Sequence, residues 1–162
     1  MRPEDGHWLA GLIDGEGSFI AHLFRPATRP KSLNVQIQMV VGLRADDKSV
    51  LEHCQGVTGL GKLNYIKQNE RHRWLWMVTR KADCQALVEI LDRHPLRSKK
   101  SRDFAIWREI VREHATWKHG HAAPQEDQER LFGLARDLRA VRLYDPQFEP
   151  LTNPTQESTL DR

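Results

Sequence analysis

The segment from Trp8 to Phe19, WLAGLIDGEGSF, restricts the fold of this chain more than any other part of the sequence. Ala10, Gly11 and Gly15 put side chains of almost no volume on successive turns of one helix. Residues this small allow a second helix to approach almost to backbone contact. The apolar surface that would hold such a contact comes from Leu9, Leu12 and Ile13. The segment therefore predicts a helix that packs closely against another helix.

Glu16 lies where this helix is expected to end, between Gly15 and Gly17. Glycine readily adopts the unusual backbone angles of a helix exit. A carboxylate at this end faces the negative pole of the helix dipole, which costs about 0.3 to 1 kcal/mol. A divalent cation with oxygen ligands would offset that cost, so Glu16 is predicted to bind metal. The alternative is an ordinary amphipathic helix that turns at its glycines.

The same residues resemble the signature of the LAGLIDADG homing endonucleases. The first six letters match in order from Leu9 to Asp14, and Gly15, Glu16 and Gly17 stand where the family name has Ala, Asp and Gly. The resemblance implies an α+β fold in the order αββαββα, with a saddle-shaped antiparallel sheet under helices. It also implies a site-specific endonuclease that hydrolyses phosphodiester bonds of double-stranded DNA.

One copy of the signature implies, by resemblance, a homodimer whose active site lies between two signature helices. In the family, the acid and the backbone carbonyl just before it contact the metals, which carries over to Glu16 and Gly15. Two Glu16 carboxylates near the twofold axis would repel each other unless a cation neutralised them, so we expect Mg²⁺, for which Mn²⁺ can substitute. Asp14 is expected to form structural hydrogen bonds rather than to act in catalysis. The predicted dimer interface comprises Leu9, Ala10, Gly11, Leu12, Asp14 and Gly15.

Further catalytic candidates follow from the same resemblance. Family members often keep a lysine just ahead of the helix that follows the second strand pair, which indicates Lys99 first and Lys100 second. Basic charge at a helix N-terminus is mildly unfavourable, which favours a phosphate partner over a merely solvated basic helix start. For the polar residue that the family often has at the end of the second strand, the candidates are Gln38 and Arg44.

The hydrophobic pattern predicts the remaining elements. Alternation of apolar and polar residues predicts strands at 18–25, 33–43, 60–67 and 73–79. Apolar residues at helical spacing predict helices at 46–55, 81–92, 99–114 and 124–144, the first of them capped by Asp46 or Asp47. We therefore expect an endonuclease domain at 1–118, a linker and C-terminal helix at 119–144, and a disordered tail at 145–162.

Polar side chains along the predicted strands form a candidate surface for reading DNA. A two-stranded ribbon fits the major groove, where amides can pair with adenine and Arg or Lys with guanine. A sheet that merely faces solvent is the alternative. The predicted reading residues are His22, Arg25, Asn34, Gln36, Gln38, Arg44, Lys62, Asn64, Arg71 and Arg73. Trp74, Trp76, Trp107 and Trp117 are expected in the core or at hinges rather than as base-stacking platforms.

Charge and composition agree with a nucleic-acid partner. The net charge of the whole chain is +3. Residues 145–162 have a net charge of −3, so residues 1–144 have a net charge of +6. No apolar run approaches the length of a transmembrane helix, and the N-terminal residues lack an apolar signal core. We expect no membrane partner and an intracellular location: the cytoplasm or nucleoid of a bacterial or phage-infected cell, or an organelle. Cys54 and Cys84 are expected to be small buried thiols.

Two other functions fit the same fold. One is a DNA-binding regulator that has lost catalysis, against which the presence of Glu16 argues. The other is an RNA-binding splicing cofactor, a maturase, which a basic surface alone leaves open.

Overall fold

Four antiparallel strands form one sheet, and helices cover one of its faces. The computed structural model describes residues 1–28, 33–68, 71–117 and 123–142. The elements are α1 (Pro3–Glu16), β1 (Gly17–Phe24), β2 (Asn34–Arg44), a 3-10 turn (Ala45–Asp47), α2 (Lys48–Thr58), β3 (Lys62–Gln68), β4 (Arg71–Val78), α3 (Lys81–Arg93), α4 (Lys100–Thr116) and α5 (Gln125–Ala140). The predicted αββαββα order with an additional C-terminal helix is confirmed. The predicted tail at 145–162 lies outside the described residues.

The strands lie in the order β1, β2, β4, β3. In the register, Gly17 of β1 is opposite Val41 of β2, and Val41 is opposite Trp76 of β4. Side chains alternate between the two faces, and the helix-covered face contains Phe19, Met39, Val41, Trp76 and Val78, each at most 1% exposed. Arg71 and His72 belong to β4, so this strand begins two residues before the start that the sequence predicted.

Each helix contributes an apolar stripe to the core, as the spacing of its residues predicted. Leu9 and Ile13 of α1 are fully buried, and so are Trp107 and Ile110 of α4. Burial of one such side chain stabilises the fold by about 1.5 to 3 kcal/mol. The other helices contribute Leu51, Cys54, Leu87, Leu91, Leu131 and Leu138. In the part of the chain that the structure covers, no helix combines the length and the apolarity needed to cross a bilayer.

Cys54 and Cys84 are buried free thiols, as expected. Burial raises the pKa of each thiol to about 12. Both sulfurs are therefore protonated at neutral pH and serve as core atoms.

Two helix ends differ from the sequence-based expectation. Gly17 follows α1 with φ −71° and ψ 151°, an extended conformation that any residue adopts. A glycine is needed there because a Cβ atom would lie 2.6 Å from the carbonyl oxygen of Ile13. Asp47 occupies the cap position of α2 but forms no side-chain capping bond, and α2 continues beyond the predicted end to Thr58.

Gly17→Ala tests this close approach, because the clashing atom belongs to the backbone and cannot rotate away. We expect the free energy of unfolding to fall by about 1 to 3 kcal/mol. The control is Gly56→Ala, since Gly56 lies within α2 and a Cβ there meets nothing within 4 Å. That change should raise stability by about 0.5 to 1 kcal/mol. Urea unfolding of both variants provides the measurement, and equal effects would contradict the explanation.

Candidate functional site

The site is centred on the C-terminal end of α1. Gly15 and Glu16 are both exposed there. The Glu16 side chain forms no hydrogen bond or ion pair with another described residue. The ammonium group of Lys100 donates a hydrogen bond of 2.7 Å to the carbonyl oxygen of Gly15. A free carboxylate, a carbonyl oxygen and a lysine therefore lie together at this helix end.

Lys100 belongs to this group, although the sequence ranked Lys99 first. Lys99 occupies the cap position of α4, and Lys100 begins the helix. Burial lowers the pKa of Lys100, while Glu16, Asp14 and Asp103 oppose that shift. Lys100, the second candidate of the sequence analysis, is the lysine that contacts the carbonyl oxygen of Gly15.

Asp14 connects α1 to the segment that leads into α4. Its carboxylate accepts the backbone N–H of Arg97 at 2.7 Å and the hydroxyl of Ser98 at 2.7 Å. A longer bond of 3.3 Å comes from the backbone N–H of Ser98. The structural hydrogen-bonding role expected for Asp14 is observed. Because Lys100 follows two residues after Ser98, these bonds also position the lysine.

A pocket of about 760 Å³ opens beside Glu16. Its wall includes the end of β2, the 3-10 turn and the start of β4. Arg44 forms a bidentate pair with Asp46, with N–O distances of 3.1 and 2.5 Å. Arg73 donates a hydrogen bond of 3.0 Å to the carbonyl oxygen of Gly42. The ionisable groups around the pocket are Glu16, Arg44, Asp46, Asp47, Arg71, His72 and Arg73.

The structure does not bring Gln38 to this pocket. Gln38 is opposite Ile20, three residues along β2 from Val41, the partner of Gly17. Three residues of a strand span about 10 Å. Gln38 instead lines a separate cavity of about 440 Å³ with Lys81 and His114. Of the two candidates at the second strand, only Arg44 shares a pocket with Glu16.

Nine of the ten predicted reading residues fall on the face of the sheet that no described helix covers, which we call the helix-free face. Directly opposite residues of antiparallel strands project to the same face. His22 is opposite Gln36, and Arg44 is opposite Arg73, which follows the predicted alternation. Arg25 is the exception, because β1 ends at Phe24 and the guanidinium of Arg25 lies 5.6 Å from the ring centre of Phe132. The nine are His22, Asn34, Gln36, Gln38, Arg44, Lys62, Asn64, Arg71 and Arg73.

The signature helix exposes a narrower stripe than the sequence suggested. Leu9 and Ala10 are 0% and 5% exposed, because they pack into the core of their own chain. They are therefore not available to a partner. Gly11 and Gly15 are exposed, and a Cβ at either position would meet nothing within 4 Å. Leu12 is half-buried, and the carboxylate of Asp14 is bonded within the chain.

Sequence reasoning missed two further residues. Trp8 is 40% exposed on the stripe of Gly11, which its spacing of three residues from that glycine could have indicated. Asp103 has a buried Oδ1 atom with no hydrogen-bond partner in the described structure. Burial raises the pKa of Asp103, while Arg142, Lys99 and Lys100 oppose that shift. Its position one helical turn after Lys100 is the signal that could have identified it.

A family model described as LAGLIDADG endonuclease matches residues 9–111, from the signature through most of α4. The chain belongs to the LAGLIDADG endonuclease family. The match includes Glu16, Gly15 and Lys100, and it ends before α5.

Among the relatives of this LAGLIDADG chain is the probable intron-encoded endonuclease 3 of Neurospora crassa, 26% identical over 107 residues. That match covers 65% of this chain but only 20% of the fungal protein. The homing endonuclease I-TnaI has a similar fold, with a TM-score of 0.67 and 22% identity, over 88% of this chain and 96% of the other.

Two further solved structures have a fold similar to that of this chain. The archaeal intron-encoded homing endonuclease I-Vdi141I, in complex with DNA, gives a TM-score of 0.72 at 19% identity, over 93% of this chain and 89% of the other. The meganuclease I-SmaMI, bound to DNA, gives 0.72 at 20% identity over 85% of this chain, but over only 45% of its own length.

Asp14→Ala tests the connection between α1 and α4. The change leaves two backbone N–H groups and a hydroxyl without their acceptor, so we expect the free energy of unfolding to fall by about 1 to 3 kcal/mol. Asp46→Ala is the control, because it removes an exposed ion pair that stabilises by less than about 1 kcal/mol. Chemical denaturation measures both variants. A loss from Asp14→Ala no larger than that from Asp46→Ala would contradict this assignment.

Proposed function

We propose that two copies of this chain pair through α1 and hydrolyse phosphodiester bonds in both strands of a DNA duplex, at a site that needs a divalent metal ion. The observation that carries the proposal is the group formed by Glu16, the Gly15 carbonyl and Lys100 at the end of an exposed glycine stripe. Family membership supports the reaction class, and the basic sheet face supports the substrate.

The donor atoms fit a hard cation such as Mg²⁺. The Glu16 carboxylate and the Gly15 carbonyl are oxygen donors, which Mg²⁺ and Mn²⁺ prefer. Within the described ranges of one chain, no group of three or more His, Cys, Asp or Glu residues could hold a metal. One copy therefore offers a partial set of ligands, and a second copy of α1 would double it. This incompleteness supports a site shared between two chains.

The chain's own residues supply the rest of the chemistry. In the hydrolysis, water adds to phosphorus, the bond to the 3′ oxygen breaks, and a 5′ phosphate and a 3′ hydroxyl remain. A divalent ion, when bound, supplies Lewis-acid stabilisation of the charge that develops on the phosphate. Lys100 holds a positive charge next to the Gly15 carbonyl, where it can contact the phosphate or order a water molecule. Arg44, Arg71 and Arg73 line the adjacent pocket and can bind neighbouring phosphates.

The helix-free face of the sheet is the proposed surface for the duplex. It presents amides on β2 and cations on β3 and β4, the groups that pair with base edges in the major groove. Glu16 lies at the end of α1 directly before β1. A duplex on this face would therefore lie close to the Glu16 carboxylate. Arg25 lies off this face, and we assign it no base contact.

The exposed surface of α1 supports the pairing. The stripe of Trp8, Gly11 and Gly15 is exposed in one copy and leaves space for another helix.

Glu16→Gln tests the catalytic proposal, because it keeps the size of the side chain and removes its charge. DNA spanning the insertion site of this reading frame is incubated with Mg²⁺ and either protein. We expect wild type to cut both strands and the variant to cut more than about 100-fold more slowly. Binding of Mn²⁺, followed by electron paramagnetic resonance, should weaken in parallel while duplex binding persists. Equal cutting by both proteins would refute the proposed role of Glu16.

The same experiment separates the other functions. If wild type binds the duplex tightly but does not cut it in Mg²⁺ or Mn²⁺, the protein is a DNA-binding regulator and the nuclease proposal is wrong. If wild type binds a folded intron RNA and no duplex, the protein is a splicing cofactor and the nuclease proposal is wrong.

Gly11→Arg tests the pairing surface. Within one chain a Cβ at position 11 meets no atom within 4 Å, but between two closely packed helices an arginine would clash and place like charges together. We expect a monomer in sedimentation velocity that keeps its helical content and loses cleavage. Gly56→Arg is the matched control, because Gly56 is also helical, exposed and free of neighbours within 4 Å. If both variants sediment as the wild type does, the pairing surface lies elsewhere.

A further inference from the structure

The β3–β4 hairpin carries an aromatic surface on the side opposite the proposed duplex face. Tyr65 is opposite Trp74, and Lys67 is opposite His72. These four residues share the face of the buried Trp76, whereas Asn64 and Arg73 project to the other side. We call the group Tyr65, Lys67, His72 and Trp74 the hairpin underside. Of these four residues, His72 also lines the pocket beside Glu16.

The described helices do not cover this part of the sheet. Along β4, Trp76 is fully buried, Trp74 is half-buried and His72 is exposed. On the neighbouring strand, Tyr65 is 48% exposed, one of the largest exposed apolar surfaces in the described chain. The cover from α2 thus ends near Trp74, and the rings beyond it face solvent.

The rings form a fixed platform rather than separate flexible side chains. The Tyr65 ring centre lies 5.2 Å from that of Trp74 and 5.9 Å from that of His72. The hydroxyl of Tyr65 is also hydrogen-bonded to Nδ1 of His72. Because these contacts already restrict the tyrosine, little conformational entropy is lost when a ligand stacks on it.

The charges beside the platform favour an anionic ligand. Lys67 forms no ion pair with any residue that the structure describes. Lys48 lies with its ammonium group 4.7 Å from the ring centre of Trp74 and is also paired with Glu52 at 2.8 Å. An aromatic face next to a lysine matches a flat base joined to a phosphate.

We propose that the hairpin underside binds unpaired bases of single-stranded nucleic acid, with a base stacked on Tyr65 and the adjoining phosphate at Lys67. Duplex DNA does not fit this surface, because its bases are stacked inside the helix and offer no free ring face. The two faces of one hairpin would then bind two forms of nucleic acid: duplex through Asn64 and Arg73, single strand through Tyr65.

The test compares neighbouring residues of one strand that project to opposite faces. Fluorescence anisotropy measures binding of the full chain to labelled oligothymidine and oligouridine of roughly 12 nucleotides, and to a duplex. We expect Tyr65→Ala to weaken single-strand binding by at least about fivefold and to leave duplex binding unchanged. Tyr65→Phe, which keeps the ring, should bind single strands nearly as wild type does. Asn64→Ala should weaken duplex binding and leave single-strand binding unchanged.

Preference for one of the two oligomers identifies the source of the strand as DNA or RNA. The proposal is wrong if wild type binds neither oligomer, if Tyr65→Ala binds both as wild type does, or if it loses single-strand and duplex binding equally. Circular dichroism and thermal unfolding of Tyr65→Ala identify a folding defect. In that event Lys67→Ala on the same face, with Lys62→Ala on the opposite face as control, decides the outcome by the same criteria.

Discussion

The hydrogen bonds of Asp14 join two parts of the chain that are more than 80 residues apart, and the site depends on them. They hold Arg97 and Ser98 against α1, and Lys100 can reach the Gly15 carbonyl because α4 begins there. Without this junction, Glu16 would lie on a helix end with no cation fixed beside it. Of the two acids in the signature, Asp14 is bonded within the chain, whereas Glu16 is exposed at the surface.

Alternation of side chains along the strands separates the core from the surface that we propose for the duplex. Every second residue of β2 and β4 enters the core, and the residues between them form the surface proposed for the duplex. Trp76 illustrates the inner side, since its indole N–H donates to the Leu60 carbonyl at 2.8 Å while its ring is fully buried. Toward the hairpin end the helices no longer cover that inner side, and the same alternation exposes Tyr65 on a second surface.

Local patterns predicted the elements and their faces, because spacing along a strand or helix is a property of neighbouring residues. Placement across the fold was harder to predict. Gln38 is a polar residue of the expected kind, but it lies three residues along β2 from Val41, the residue opposite Gly17. The contact of Lys100 with Gly15 could not be predicted from local spacing, because it joins two helices that Asp14 connects through Arg97 and Ser98. Leu9 and Ala10 share the signature with Gly11, yet packing of α1 into its own core decides which of them a partner could contact.

The partial ligand set at Glu16 has a thermodynamic consequence if the chain pairs as proposed. A cation held by oxygens of two chains binds the pair more tightly than the single chain, so it stabilises the pair by mass action. The coupling is reciprocal, and pairing must raise the affinity for the cation by the same factor. Pairing without the cation brings two Glu16 carboxylates together, and their repulsion opposes association. The exposed glycine stripe and the exposed acid are thus coupled features of one helix: the stripe permits close approach, and the acid makes that approach favourable only when a cation is present.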